Sequence, residues 1–236
     1  MQNAITNSIN YLDGIREPHG LIMLDVLYRR FGIEEFADAL HLYDQEIALR
    51  PEEAAVLRVL RRIGDYDNQL QPGDLGEVQA ETDVYTVPAL YCDRIPLTWN
   101  YQSILYNAAS QGHYMLTHVL LACIWIQENG CEVPIPEYDI NNIYIATARL
   151  IYNDSVVTDL ELEAAAFLYL AGQGSLVSDT FIEQVIAVQN HDGGWLQSSD
   201  RPGNSYWHAS ILGLMLLLHV QNPADSYPPM LAPPLQ

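Results

Sequence analysis

The sequence predicts an all-α fold built from repeated helix pairs. Three observations carry this expectation. Apolar residues recur at helical spacing over ten segments, strand-like alternation is nearly confined to residues 84–90, and every second helix is apolar around most of its circumference. A period of roughly 35–45 residues for each amphipathic and buried pair marks a repeat array, closed either as an open solenoid or as a ring with inner and outer layers.

The helical segments fall near 2–15, 19–31, 33–49, 52–63, 98–110, 112–128, 138–153, 158–172, 178–190 and 204–220. Their starts carry recognisable chemistry. Pro51 sits at a first helical position before Glu52 and Glu53, while Ser178-Asp179 and Asn204-Ser205 supply side-chain acceptors for unpaired N–H groups. Gly32, Gly64, Gly130, Gly172, Gly174 and Gly193 each follow an apolar run, as helix exits require. Between 64 and 97 the period stops in a stretch rich in Asp, Gly, Gln and Pro, which predicts a long loop. Residues 223–236 hold five prolines and predict an extended strap or a disordered tail behind a single domain over 1–222.

Charge narrows the chemistry. The chain carries 30 acidic residues against 10 basic ones, and all ten are Arg, for a formal charge of −20. The cation deficit excludes the basic surface that nucleic acid or an anionic membrane would need, since Arg58, Arg61 and Arg62 are the only basic cluster. With no Lys, Schiff-base chemistry and pyridoxal phosphate are excluded, and no phosphate-cradling glycine motif points to a nucleotide cofactor. The longest apolar run, Ile211 to Val220, is too short to span a bilayer, and the first thirty residues lack a signal-sequence pattern. Cys92, Cys123 and Cys131 are an odd set without metal-finger spacing, which predicts reduced thiols and a cytoplasmic setting.

Residues 189–195, Gln-Asn-His-Asp-Gly-Gly-Trp, resemble the Q-x3-G-x-W repeat of squalene-type terpene cyclases. The stretch from Asp192 through Tyr206-Trp207-His208 also resembles the last helix pair of protein prenyltransferase β-subunits. The resemblance implies an α/α toroid, a ring of helix pairs whose inner helices aim their N-termini at one mouth of a cavity, here small or incompletely closed. The cyclases' D-x-D-D acid has no counterpart; Asp65-Tyr66-Asp67-Asn68 is the nearest string. Of the prenyltransferases' Asp, Cys and His zinc ligands, only the His is matched, at His208.

Within such a ring, His118, the group Asp159, Glu161 and Glu163, and His208 would open successive inner helices at one rim. Two imidazoles and a carboxylate suit Zn²⁺, Fe²⁺ or Mn²⁺, so His118, Glu163 and His208 are expected as metal ligands. Asp159, Glu161, Tyr114 and Tyr206 are expected as catalytic residues, with Tyr114, Tyr206 and Trp207 shaping the pocket. The function expected is a metal-assisted enzyme acting on a small hydrophobic or peptide-derived substrate. The alternative is a non-catalytic module that holds a ligand or a protein, with an acidic surface favouring cationic partners.

Overall fold

The computed structural model describes residues 1–152, 154–222 and 226–233, and these are helical without a strand. The helices are α1 (Gln2–Leu12), α2 (Pro18–Phe31), α3 (Ala39–Leu49), α4 (Ala54–Leu60), α5 (Asp74–Glu77), α6 (Asp83–Leu90), α7 (Tyr101–Ala109), α8 (His113–Glu128), α9 (Glu137–Ala148), α10 (Asp159–Leu170), α11 (Asp179–Ala187) and α12 (Trp207–Gln221). Among the described residues no helix is long and apolar enough to cross a membrane. The chain divides into two compact units, the first comprising Met1–Ile15 with Glu137–Ser226 and the second Arg16–Pro136 with Tyr227–Gln236. Residue 153, at the end of one expected helix, and residues 223–225 and 234–236 of the expected tail lie outside the described residues.

In the first unit α10 and α12 pack against each other, with α9 on α10 and α1 on α12. Both central helices are buried on every side, α10 from Leu162 to Leu168 and α12 from Ala209 to Leu217, as sequences apolar but for Glu163 and Ser210 require. The 189–195 turn links α11 to this pair. Gln189 Nε2 donates to the carbonyls of Ala4 and Gly193, both at 2.8 Å. The indole of Trp195 is buried, donates to Val185 O at 2.7 Å, and lies over Gly213, where a Cβ would approach the ring to 2.8 Å. Gly193 has φ +95°, and a Cβ there would fall 2.3 Å from Asn7 O.

In the second unit α8, buried from Leu116 to Ile126 apart from His118, packs on α6 and α7. The 64–97 stretch departs from the expected loop, because it contains α5 and α6. The alternation at 84–90 misleads: Tyr85, Thr86, Val87, Ala89 and Leu90 are all buried along a helix, with Pro88 inside it. Burial against α8 outweighs the N–H that Pro88 cannot supply.

The expectation of three reduced thiols is also corrected. Cys92, just past α6, is bonded to Cys131, just past α8, which leaves only Cys123 as a free and buried thiol. Burial pushes the Cys123 thiol up to about 12. Odd parity hid a pair 39 residues apart, and the inference of a reducing compartment loses its basis. Beside the disulfide, Asn129 Nδ2 donates to the carbonyls of Ala89 and Leu90 at 3.1 Å, satisfying the end of α6. Its Oδ1 accepts from the fully buried Arg62 at 2.9 Å, and Arg62 also reaches Asp93 and lies 4.4 Å over the Tyr66 ring.

The described part of the tail is a strap on the second unit. Glu128 accepts from the backbone N–H groups of Met230 and Leu231 at 2.8 and 3.0 Å, while Arg29 and Arg30 donate to the carbonyls of Met230 and Pro228.

Three substitutions have expected outcomes in urea denaturation. Gly193→Ala should cost about 3 kcal/mol, through a left-handed φ and a backbone clash together. Gly172→Ala, with φ +72° and nothing within 4 Å, should cost only about 1 kcal/mol. Cys92→Ser should lower stability by about 4 kcal/mol, the chain-entropy value for a loop of this size, and adding reductant should lower the wild type but leave the variant unmoved.

Candidate functional site

The polar group of the first unit is assembled by helix starts. Thr158, in extended conformation, caps α10: its hydroxyl accepts from Glu161 N, and Glu161 Oε2 accepts in return from Thr158 N at 2.8 Å. Glu161 Oε1 accepts from Tyr152 N at 2.9 Å. Both carboxylate oxygens of Glu161 are therefore spent on backbone, and the side chain acts as a cap rather than as the reacting group expected of it. Asp159 and Glu163, four residues apart, fall on one face of α10. They are buried, at 3% and 0% exposure.

Opposite them, Tyr206 precedes α12, held by its N–H donating to Trp195 O at 2.7 Å, and His208 occupies the second helical position. The α10–α12 packing brings His208 between the two carboxylates. Its Nδ1 lies 2.9 and 3.0 Å from the two oxygens of Asp159, and its Nε2 lies 3.5 Å from Glu163 Oε2. Since a carboxylate only accepts, Nδ1 carries the proton toward Asp159. The imidazole keeps 27% of its side-chain surface, flanked by the rings of Tyr206 and Trp207 at 6.0 and 5.3 Å.

Burial by itself would lower the His208 pKa, but the hydrogen bond to Asp159 and the charges of Asp159 and Glu163 overcome it, and the value is raised. The ring thus stays cationic to higher pH than an ordinary histidine.

The structure brings together Asp159, Glu163, His208, Tyr206 and Trp207. His118 and Tyr114 belong to the second unit. There α8 begins at His113, so His118 sits in the second turn instead of opening the helix, and its match in position to His208 fails. His118 Nδ1 donates to Tyr114 O at 2.9 Å, and Tyr114 is exposed. Among the described residues no group of three or more His, Cys, Asp and Glu side chains is arranged to hold a metal ion.

Sequence reasoning passed over a further imidazole–acid group in the second unit. Glu17 caps α2, accepting from Gly20 N, and its Oε1 lies 3.1 Å from His19 Nδ1. That hydrogen bond raises the His19 pKa, assisted through space by Glu17, Glu53 and Asp83 and opposed by burial. The signal was present in Glu17-Pro18, an acidic cap followed by proline at the first helical position.

Raising the pKa of His208 in the folded state couples it to stability. Its contribution is fully present below the unfolded histidine value near ~6.5 and is lost as pH rises through the folded value. NMR titration of the imidazole should place His208 above that value, and Asp159→Asn should bring it down. An unchanged titration in the variant would show that Asp159 does not set the proton affinity.

No family model, curated protein or solved structure matches the chain, so the chemistry of this group rests on the residues themselves.

Proposed function

We propose that the chain is an enzyme that transfers protons at His208, with Asp159 as positioning residue and Glu163 as second carboxylate, on a small hydrophobic or peptide-derived molecule. The observation that carries this reading is the bonding of one half-buried imidazole through Nδ1 to Asp159, which leaves Nε2 as the working nitrogen. An Asp-held imidazole has a fixed tautomer and ring orientation, and its cationic form is stabilised; both favour acid–base work. Protonated, Nε2–H is a general acid toward a developing anion. Deprotonated, Nε2 accepts a proton, and Glu163 lies close enough to attract the cation formed. The faces of Tyr206 and Trp207 suit an apolar substrate body.

A metal-assisted variant of the same site is supported by one distance. Two first-shell bonds of about 2.1 Å at a tetrahedral angle span about 3.4 Å, close to the 3.5 Å between His208 Nε2 and Glu163 Oε2. His208 and Glu163 would hold a divalent ion such as Zn²⁺, Fe²⁺ or Mn²⁺, and Asp159 would orient the imidazole from behind. Such an ion would polarise a carbonyl or phosphoryl oxygen.

A panel of ester, phosphomonoester and peptide substrates separates these readings. Any turnover found should fall about 10²–10⁴-fold in His208→Gln and less in Asp159→Asn, with thermal melting confirming that both fold. Stoichiometric metal in chelator-free wild type, lost in His208→Gln and Glu163→Gln, would select the metal variant. Turnover equal in wild type and His208→Gln, or none across the panel together with a large fall in melting temperature, would reduce the cluster to a structural ion pair.

A further inference from the structure

The second unit holds a cavity of about 340 Å³ that the His208 site does not use. Its walls are apolar: Val84 and Val87 come from α6, Ile95 and Leu97 from the segment after it, and Ile104 from α7. Two tyrosines reach it, but their hydroxyls are committed to backbone, Tyr91 to Val59 O at 2.9 Å and Tyr101 to Tyr85 O at 2.5 Å. Of the side chains lining the cavity only Asp83 carries a charge. Val84 and Ile104 also line a second cavity of about 380 Å³, where Glu81 adds another acid.

Asp83 is short of compensation. Burial raises its pKa, and a backbone hydrogen bond at Ala80 together with the fields of His118 and His19 only partly restores the charged form. Of these imidazoles, His19 is bonded to Glu17 and His118 to Tyr114 O.

We propose that this cavity binds a small amphiphilic cation, its apolar body against Val84, Val87, Ile95 and Leu97 and its ammonium on the Asp83 carboxylate. The volume lies at the lower end of small-ligand sites. A site of apolar walls with one under-compensated carboxylate selects a hydrophobic amine over its neutral or anionic isosteres. The formal charge of −20 adds a favourable field for cations.

An isosteric series tests it by titration calorimetry and amide chemical shifts: 4-phenylbutylammonium, 4-phenylbutanol and 4-phenylbutyrate. The ammonium should bind about tenfold or more tighter than the alcohol, and the carboxylate more weakly than both. Asp83→Asn should bring the ammonium to the level of the alcohol. Val84→Lys, at a position 58% exposed and so harmless to the core, should weaken the ammonium and favour the carboxylate, and it carries the test if Asp83→Asn does not fold. Equal binding of ammonium and alcohol by the wild type would overturn the proposal in favour of a merely apolar pocket. Absence of saturable binding, or binding unmoved in both variants, would also overturn it.

Discussion

A helix that is apolar on every side has to be buried, and burial deprives its terminal N–H and C=O groups of water. Each end therefore needs a polar partner from the protein, and this requirement organises both units. In the first, Thr158 and Glu161 close the start of α10, and before α12 the Tyr206 N–H donates to Trp195 O while the Trp195 N–H donates to the Ser210 hydroxyl. In the second, Asn129 takes up the end of α6, and Glu128 at the end of α8 turns its carboxylate to the backbone of the 226–233 strap. These polar groups sit where apolar helices begin or end. Both the His208 cluster and the disulfide with Arg62 lie at such places.

The charge pattern follows from the same requirement. Without Lys, every fixed side-chain cation is a planar guanidinium, which suits several directed bonds better than a flexible ammonium does. Arg29 bonds Asp25 and two carbonyls, Arg58 grips Asp74 through two nitrogens, Arg61 joins Asp44 and Asp65, and Arg62 is wholly buried. All four are in the second unit, and all four fasten its chain segments together. Asp159 and Glu163 of the first unit are met by an imidazole instead. Their partner is thus a group whose proton affinity lies within reach of neutral pH, which a structural Arg would not be.

What the sequence made legible was local. Most of the helices and the acids opening α10 depend on neighbours within a few residues and are readable from spacing, while the turn of Gln189, Gly193 and Trp195 was marked by its resemblance to a known repeat. The bond from His208 to Asp159 spans 49 residues and depends on how α10 meets α12. Only the shared position at helix starts pointed to it. His118 has no such position: the helix expected near 112–128 begins at His113, which puts His118 in its second turn. Helix α6 was obscured by Pro88 and by the β-branched and aromatic run Val84-Tyr85-Thr86-Val87, of which the last three residues are buried in a helix that packs on α8. Cysteine parity is a statement about a set and could not reveal that Cys92 and Cys131 follow two helices whose ends meet.

Apolar packing alone could join α10 to α12 without the His208 cluster. Burying two carboxylates and an imidazole costs several kcal/mol per ion in desolvation, and well-packed apolar side chains of similar volume commonly do as well or better. Leu162, Ala165, Ala166, Leu212 and Met215, on the same two packed helices, are buried side chains of that kind. The cluster also carries two acids for one base, an excess of negative charge when the imidazole is protonated and a larger one when it is not. The hydrogen bond to Asp159, joined by the charges of Asp159 and Glu163, is what raises the proton affinity of His208 against its burial. A cap for α10 does not require it either, since Thr158 and Glu161 already perform that task. What remains is a proton-binding nitrogen of fixed orientation, partly open between Tyr206 and Trp207, and this is the property the proposed chemistry draws on.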